Sequence, residues 1–334
     1  EYEDPGDRRF HAQPNACPEC GPRMWLENAP GVAQQPPPGQ DAIALAAQLI
    51  KQGAILAVKG LGGFHLACDA TDAEAVARLR QRKHRYHKAF ALMARDMDMV
   101  RRYARVAPQE QALLQDPAAP IVILDALAHD GLAPQVAPGQ NGLGFMLPYT
   151  PLHHLLLAQF DRPIVLTSGN RSDEPQCTGN QEARHRLAGL ADYWLLHDRD
   201  ILNRLDDSVL RVMDGRSRFL RRARGFAPAP LRLPAGFRPS PPVLAMGGEL
   251  KNSFCLLTHG QATVSQHIGD LEDAATHRDY RRNLDLYRRL FEFAPAVVAV
   301  DSHPNYLSSQ WGREWAHAEG LVLAEVQHHH AHIA

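Results

Sequence analysis

The spacing of apolar and polar residues divides the first two thirds of the chain into alternating helices and strands. Segments 42–54 and 71–85 have the pattern of amphipathic helices, the second capped by Thr71 or Asp72. Segment 208–223 predicts a β-hairpin that turns at Asp214 and Gly215. Short apolar runs predict strands at 55–60, 90–94, 121–125, 164–168 and 193–197. Together these elements are typical of a mixed α/β sheet.

A different pattern begins near residue 243. Three strands separated by turns predict a β-meander, and it is followed by helices at 274–293 and 306–320. Strands are predicted at 296–301 and 322–326, and we expect the second of them to be buried. A meander followed by crossover helices is the opening half of an actin-like ATPase lobe. Since that fold needs more residues than remain, we expect the domain to be truncated.

Two proline-rich stretches, 34–39 and 230–243, interrupt these patterns and predict linkers. They suggest three parts: residues 1–33, 40–233 and 243–334. The chain begins at Glu1 without a methionine, so we expect it to be a fragment of a longer protein.

Composition excludes few classes of protein. The net charge of −1 gives no general attraction to nucleic acid or membranes, and no apolar run is long enough for a transmembrane helix. No signal-peptide pattern opens the chain. The five cysteines are odd in number and dispersed, which argues against a disulfide framework and indicates a reducing compartment. We therefore expect a cytoplasmic protein with local rather than global basic sites.

One cysteine pair has the spacing of a metal site. Cys17 and Cys20, in the sequence CPECG, resemble a zinc knuckle, in which two thiolates project from a tight turn. A structural Zn²⁺ site needs four ligands, and this leader supplies two. A chance C-x-x-C in a loop is an alternative. A redox motif is less favoured because no βαβ pattern surrounds the pair.

The densest positive charge lies in RLRQRKHRYHK, 78–88, with six Lys or Arg in eleven residues. Lys83, Arg85 and Lys88 fall where the helix ends and the next strand begins, which suits a polyphosphate. A second cluster, 216–225, contains Arg222 and Arg224 and ends in Gly225, which permits close approach of the backbone. A solvated helix face and an RNA-binding patch are alternatives for the first cluster.

A polar stretch, 166–175, lies between these clusters. Thr167, Ser168 and Asn170 follow a strand end, where ligand contacts are common in α/β sheets, and they could bind phosphate or sugar. A capped turn is the alternative, since Ser, Gly and Asn favour turns. The glycine-rich stretch 58–70 also follows a strand, but it lacks the G-x-G-x-x-G spacing of a dinucleotide site.

The order of several motifs is more specific than any one of them. KGLGGFHLACDA, LRQRKHRYHKAFALM, LPYTPLHHLLL, TSGNRSDEP, RLDDSVLRV and RRARGFAPAPL together resemble the YrdC-like domain of HypF, a family of hydrogenase maturation carbamoyltransferases. DRRFHAQPNACPECGP resembles the second half of that family's second zinc finger. GGELKNSF, SQHIGDLE and VQHHHAHIA resemble the start of its C-terminal domain. One departure is Lys88-Ala89-Phe90, where the family usually has Lys-Pro-Phe.

The resemblance implies a reaction in three stages. An acylphosphatase domain, expected before Glu1, would hydrolyse carbamoyl phosphate to carbamate. The YrdC-like domain would join carbamate to the α-phosphate of ATP, giving carbamoyl adenylate and pyrophosphate. The C-terminal domain, expected to continue beyond Ala334, would transfer the carbamoyl group to the C-terminal cysteine of the partner protein HypE. That group becomes a cyanide ligand of the nickel–iron centre.

The same resemblance suggests roles for individual residues. Asp206 or Asp207 would hold Mg²⁺ through water, although either could be a structural cap. We expect catalytic charge from Lys59, Lys83, Arg85 and Lys88, and contacts to the nucleotide from Thr167, Ser168, Asn170, Ser208, Arg222, Arg224 and Gly225.

The histidine-rich end predicts a second metal site. His328 and His332 are four residues apart, so on a helix they share one face and suit Zn²⁺ or Fe²⁺. We expect this chain not to hold that metal tightly, because further ligands would lie beyond it. His330 could approach a bound ligand or face solvent. Lys251 and Asn252 could face nucleotide or belong to a surface loop.

Two other functions remain open at this point. One is a tRNA-modifying relative that makes threonylcarbamoyl adenylate and grips RNA with the basic helix. The other is a zinc-dependent scaffold that binds partner proteins without turnover. The zinc-finger leader and the fused C-terminal domain favour the carbamoyltransferase, for which nucleic acid is not an expected partner.

Overall fold

The part of the chain that the structure describes forms two β-sheets with their helices. The computed structural model describes residues 3–7, 10, 21–28, 32–34, 40–128, 131–171 and 174–334. The first sheet has eleven strands in the order β11-β10-β6-β7-β5-β8-β4-β3-β9-β1-β2. Its strands are Met24–Asn28 (β1), Val32–Gln34 (β2), Leu56–Lys59 (β3), Phe64–Asp69 (β4), Ala91–Met93 (β5), Ile121–Asp125 (β6), Gly142–Met146 (β7), Ile164–Ser168 (β8), Tyr193–His197 (β9), Val209–Met213 (β10) and Arg216–Arg221 (β11).

Helices cover both faces of this sheet. On one face, α1 buries Ile43, Ala46 and Ile50, whose spacing keeps them on one side of the helix. On the other, α2 buries Val76 and Leu79 against β4 and β5. The helices are Ala42–Lys51 (α1), Ala73–Arg82 (α2), Met97–Arg101 (α3), Pro108–Leu114 (α4), Pro151–Leu157 (α5) and Asn180–Arg186 (α6). The sheet contains both parallel and antiparallel pairs, which confirms the predicted mixed α/β architecture.

The predicted helix starts and hairpin are confirmed. Asp72 caps α2 by accepting hydrogen bonds from the backbone N–H of Glu74 and Ala75, at 2.9 and 3.0 Å. The hairpin of β10 and β11 turns at Asp214 and Gly215, both with positive φ. Strand β4, by contrast, was not predicted, although it lies in the centre of the sheet. Its glycine-rich approach resembles a loop, and every residue of β4 is buried, so it lacks the alternation that marks a strand.

The first sheet extends into the leader. Strand β1 pairs with β9 over five residues, from Met24 opposite His197 to Asn28 opposite Tyr193. Glu27 accepts two hydrogen bonds from Arg184 of α6, at 2.7 and 2.8 Å, and these hydrogen bonds lower the pKa of Glu27 despite its burial. Residues 24–28 are therefore held by the same sheet as residues 42–221.

The second sheet has six strands in the order β12-β15-β14-β13-β16-β17. Its strands are Leu231–Arg232 (β12), Val243–Ala245 (β13), Cys255–Thr258 (β14), Gln261–Val264 (β15), Val297–Asp301 (β16) and Val322–Val326 (β17). Its helices are Ala274–Leu290 (α7), Leu307–Glu319 (α8) and His328–Ile333 (α9). The antiparallel run β13-β14-β15 confirms the predicted meander.

One prediction about this sheet was wrong. Strand β17 is at the edge of the sheet, and four of its five residues are exposed, although its apolar sequence predicted burial. The described helices include none that is long and apolar enough to cross a membrane.

Polar contacts join the two sheets. Arg222 donates to the Val264 carbonyl at 2.9 Å, and the Arg222 carbonyl accepts from the His267 N–H at 2.9 Å. The His267 ring lies 3.0 Å from the Asp206 carboxylate, and Arg204 forms an ion pair with Asp279. These contacts place the meander directly against the hairpin side of the first sheet.

Candidate functional site

A cavity of about 480 Å³, here called the first cavity, opens among strand ends of the first sheet. Its volume lies within the roughly 300–1,000 Å³ usual for small-molecule sites. Polar groups converge on it from β4, β8, β11 and the segment before β10. These lining residues include His65, Arg85, Gln140, Asn141, Thr167, Ser168, Gln176, Asp206, Asp207, Arg211 and Arg221.

The first sheet with its helices is here called the first domain, and the second sheet with its helices the second domain. A smaller cavity of about 220 Å³, here called the junction cavity, lies between the two domains. It adjoins the first cavity, since both are lined by Arg85, Ser168, Gln176, Asp206 and Arg221. Its remaining polar walls come from the basic segment, the loop after β8 and the second domain: Lys83, Lys88, Asn170, Glu174, Lys251, His267, Asp270 and Thr276.

Lys83 is buried at the end of α2 and fastens the loop after β8. Its Nζ donates to the Ser168 carbonyl at 2.7 Å and to Asn170 Oδ1 at 2.6 Å, and it also bonds the Asn170 carbonyl. Burial, followed by the nearby charge of Arg85, lowers the pKa of Lys83 to about 7. The amine that lines the junction cavity also positions two of the predicted ligand-binding residues.

Arg85 and Lys88 lie among the residues that line the cavities. Arg85 is half-buried and lines both, and Lys88 is exposed on the junction cavity. The buried Arg80 supports them by donating to the carbonyls of Arg85 and Lys88, at 2.5 and 3.2 Å, and its guanidinium lies over the Phe90 ring. Arg80 is therefore a scaffold for the basic segment.

The turn after β8 places polar groups beside both cavities. Thr167 is buried and faces the first cavity, whereas Ser168 faces both. Ser168 Oγ donates to Asn170 Oδ1 at 2.6 Å. A Cβ on Gly169 would come within 2.7 Å of Phe64, so only glycine fits between these polar residues.

The two carboxylates before β10 have different partners. Burial opposes ionisation of Asp207, but the nearby His65 ring and the guanidinium of Arg224 outweigh it and lower its pKa well below the usual range. Asp206 instead contacts His267 at 3.0 Å and Gln176 at 3.1 Å. The two side chains thus connect the first cavity with the protein core and with the second domain, respectively.

Histidines near Asp207 were missed by the sequence analysis. His65 lines the first cavity, with Nε2 3.6 Å from Asp207, and it packs edge-on against His153. His153 is fully buried, and within the described residues neither of its ring nitrogens has a hydrogen-bond partner. Burial lowers its pKa to about 3. His65 belongs to a buried strand and His153 to an apolar helix. Neither sequence pattern predicts that the two rings pack together next to the first cavity.

Several predicted ligand-binding residues hold the hairpin in place. Arg224 is buried, makes two bonds to Asp207 at 2.9 and 3.0 Å, and stacks 3.5 Å from the centre of the Tyr149 ring. Ser208 Oγ accepts from Ala223 N–H at 2.8 Å and donates to the Arg224 carbonyl at 2.9 Å. Gly225 has φ of +83°, and a Cβ there would lie 2.4 Å from Ala118. These three residues do not line either cavity.

Two further predicted residues also lie apart from both cavities. Arg222 donates to the carbonyls of Phe226, Ala229 and Val264, so its guanidinium is used at the domain contact. Lys59 is buried and donates to the His197 carbonyl at 3.1 Å, and burial lowers its pKa. Neither side chain lines the first or the junction cavity.

The histidine pair is brought together on α9. His328 Nε2 and His332 Nε2 are 3.1 Å apart, and His328 Nδ1 lies 2.8 Å from Asp301 Oδ2. Two imidazoles bound at about 2.0–2.1 Å to one tetrahedral Zn²⁺ need a similar separation, and a carboxylate on the outer nitrogen is usual. The pair therefore fits a metal. Nevertheless, the parts of the chain that are described contain no cluster of three or more metal-binding groups.

Cys17 and Cys20 lie outside the described residues. Of the other predicted pair, Lys251 lines the junction cavity, whereas Asn252 is buried. Asn252 Nδ2 donates to the carbonyls of Met246 and Gly248, at 3.1 and 2.6 Å, and so holds the glycine turn.

Comparison with known families gives three matches in chain order. Residues 1–27 match the HypF finger, residues 48–223 match the Sua5/YciO/YrdC family, described as telomere recombination, and residues 238–334 match the HypF Kae1-like domain. At the level of the YrdC-like domain, the threonylcarbamoyl-AMP synthase of Chromohalobacter salexigens is 31% identical over 148 residues, covering 43% of this chain and 79% of that protein.

Several relatives are similar to the whole length of this chain. The carbamoyltransferase HypF of Rhodobacter capsulatus is 54% identical over all of this chain and 44% of its own length. A full-length HypF in a phosphate- and nucleotide-bound form is 46% identical with a TM-score of 0.89, over 99% of this chain and 42% of that one. The structure of T. kodakarensis HypF is 39% identical to this chain, with a TM-score of 0.91. The match covers 100% of this chain and 43% of that one. The chain thus spans less than half the length of these relatives. It belongs to the Sua5/YciO/YrdC family through residues 48–223, and its whole length is similar to part of HypF.

Proposed function

We propose that this chain provides the carbamate-activating centre of a carbamoyltransferase. In this proposal, carbamate and ATP react in the first cavity to give carbamoyl adenylate and pyrophosphate. The observation that carries it is the pairing of a nucleotide-sized cavity with a smaller basic cavity that shares five of its lining residues. A nucleoside fits the first, and the phosphates that follow it reach the second.

The charges of the site suit adenylation. Attack on the α-phosphate needs positive charge where the leaving pyrophosphate develops negative charge, and it needs little covalent chemistry from the protein. We assign this role to Lys83, Arg85 and Lys88. Thr167, Ser168 and Asn170 would orient phosphate or ribose, and Asp206 or Asp207 would hold Mg²⁺ through water.

The remaining predicted residues take supporting roles in this proposal. Arg224, Ser208 and Gly225 fix the hairpin that carries Asp206 and Asp207, so they act on the nucleotide through those carboxylates. Arg222 holds the second domain against that hairpin. Lys59 would act through the strand end at His197, because its amine points to that carbonyl and not into the cavities.

The second domain would receive the activated group. We propose that it transfers the carbamoyl group to the C-terminal cysteine of HypE, in the cytoplasm, and that carbamoyl phosphate is the ultimate source of carbamate. His328 and His332 would hold Zn²⁺ or Fe²⁺ there, with Asp301 orienting His328. Such a metal, when bound, would polarise the carbonyl of a carbamoyl group. Cys17 and Cys20 would supply two thiolate ligands to a structural Zn²⁺.

An ATP–pyrophosphate exchange assay tests the adenylation step. Carbamate is supplied directly, as ammonium carbamate, so that no acylphosphatase is needed. We expect exchange that depends on carbamate, together with exchange driven by carbamoyl phosphate when the full-length protein is used. The proposal is overturned by exchange that requires threonine and bicarbonate instead.

That second outcome would favour the threonylcarbamoyl adenylate alternative. Its support is the resemblance of residues in the YrdC-like domain to a threonylcarbamoyl-AMP synthase. RNA binding that weakens steeply with salt would add to it.

A further inference from the structure

The second domain contributes a basic residue, Lys251, to the junction cavity, and the proposed adenylation gives this residue no role. Lys83, Arg85 and Lys88 line it from the first domain, and Lys251 lines it from the turn between β13 and β14. The side chain of Lys251 is exposed, and within the described residues its ammonium group has no hydrogen bond or ion pair.

The backbone holds Lys251 in an unfavourable conformation. Its φ is +50°, in the left-handed region that a lysine rarely adopts. The Lys251 N–H donates to Asp270 Oδ1 at 2.7 Å, and the neighbouring Asn252 is fixed by the carbonyls of the glycine turn. Residues with a strained backbone conformation are frequent at ligand-binding sites, where the surrounding structure holds them in place.

Carboxylates on the same cavity do not neutralise Lys251. Glu174 is paired with Arg186 at 2.7 Å, and Asp206 contacts His267 at 3.0 Å and Arg221 at 3.7 Å. Asp270 accepts a hydrogen bond from the Lys251 backbone N–H, and within the described residues no ion pair joins its carboxylate to the Lys251 ammonium. The charge of the Lys251 ammonium is therefore available to an anion in the cavity.

The dimensions of the cavity limit the anion. About 220 Å³ is below the range of roughly 300–1,000 Å³ that suits a nucleotide-sized ligand. The shared residues Arg85, Ser168 and Arg221 place it next to the first cavity, so a group leaving the nucleotide enters it directly. A small polyanion released from ATP fits both conditions.

We propose that the junction cavity binds inorganic pyrophosphate and that Lys251 is a pyrophosphate-binding residue supplied by the second domain. The inference rests on the proposed adenylation. There, a carbamate oxygen forms a bond to the α-phosphorus while the bond from that phosphorus to the bridging oxygen of the β-phosphate breaks. The electron pair remains on pyrophosphate, and no proton is transferred. Lys251, in the second domain, stabilises the negative charge of the pyrophosphate. The adenylation rate of the first domain is therefore high only when the second domain is packed against it.

Binding of pyrophosphate by titration calorimetry tests this, without added carbamate, ATP or magnesium. The change Lys251→Gln is expected to weaken pyrophosphate binding about tenfold, the usual loss for one charged hydrogen bond. Lys251→Arg should bind nearly as well as the wild type. Lys51→Gln is the matched control, because Lys51 lies at the end of α1 and lines neither cavity. The affinity for AMP should be equal in all four proteins.

Three results would overturn the proposal: no measurable pyrophosphate binding by the wild type, equal affinities in Lys251→Gln and Lys51→Gln, or a parallel loss of AMP binding in Lys251→Gln. The test needs no turnover. A chain that binds pyrophosphate through Lys251 but shows no carbamate-dependent exchange would contradict the proposed reaction alone.

Discussion

At the scale of single residues, the burial of the Lys83 amine has a direct consequence for the exchange activity. An ammonium has three N–H groups, and Lys83 has three oxygen acceptors within hydrogen-bond reach. Deprotonation leaves too few donors for the Ser168–Asn170 turn and removes a charge from the junction cavity. Because burial lowers the pKa to about 7, this loss begins near neutral pH rather than in strong alkali.

We therefore predict that exchange activity falls as pH rises through about 7 and that Lys83→Ala abolishes it. Lys83→Arg, which stays protonated, should lose the alkaline decline even if its maximal rate is lower. Rates measured from pH 6 to 9 decide this, since the titration of ATP affects all variants alike. An unchanged decline in Lys83→Arg would show that another group controls it. Arg82→Ala is the control at the end of the same helix, because Arg82 pairs with Asp192 outside the cavities.

The sequence located some of the residues that line the cavities, for a physical reason. Lys83, Arg85 and Ser168 adjoin strand or helix ends, and local pattern locates those ends. Arg224 and Ser208 also belong to motifs, but a motif does not tell whether a side chain contacts ligand or its own fold. His65 and His153 meet only because β4 and α5 are adjacent in space, and no local pattern contains that information.

At the scale of elements, the end of the hairpin depends on one close backbone approach. Gly225 combines a φ of +83° with a Cβ position 2.4 Å from Ala118, whereas Gly215 at the hairpin turn has a φ of +67° and open space around it. Gly215→Ala should cost about 1 kcal/mol of unfolding free energy, from backbone strain alone. Gly225→Ala should cost at least about 2 kcal/mol more, because Ala118 must move. Urea unfolding of both variants measures the difference, and equal losses would show that the contact relaxes freely.

The histidine helix makes a second prediction at this scale. Zn²⁺ affinity, measured by competition with a chelating dye, should fall in His328→Ala and in His332→Ala by at least about tenfold. His329→Ala is the matched control, since His329 lies on the same helix but outside the pair. We expect the wild-type affinity to be weak, because two imidazoles do not complete a site. Equal effects at His329 would assign the binding to the histidine run as a whole.

Short apolar runs predicted the correct bounds of four strands. Strands β6, β8, β9 and β17 have the predicted bounds. Strands β1 and β7 were missed because one follows a cysteine-rich leader and the other contains two glycines. Burial of β17 was predicted from composition, but position at the edge of a sheet depends on the order of strands, which composition does not determine.

At the scale of the whole molecule, the two domains are coupled through a few polar bonds. Arg222 joins the segment after β11 to β15, through the carbonyls of Phe226, Ala229 and Val264 at 2.6 to 2.9 Å. Arg222→Met should leave these carbonyls without their donor and lower the temperature of the first calorimetric transition. Arg218→Met, on the exposed strand β11, should not. Equal transition temperatures in the two variants would show that Arg222 contributes nothing to the coupling.

Strand β1 has a consequence for how such proteins can be rearranged by recombination. A gene fragment that began at the proline-rich stretch after it would leave β9 with an open edge of unpaired backbone groups, inviting association with other chains. It would also leave Arg184 without Glu27. Strand β1 is thus part of the folding unit of the YrdC-like domain, and we expect exchanges between relatives that keep the β1–β9 pairing to break the gene before Met24.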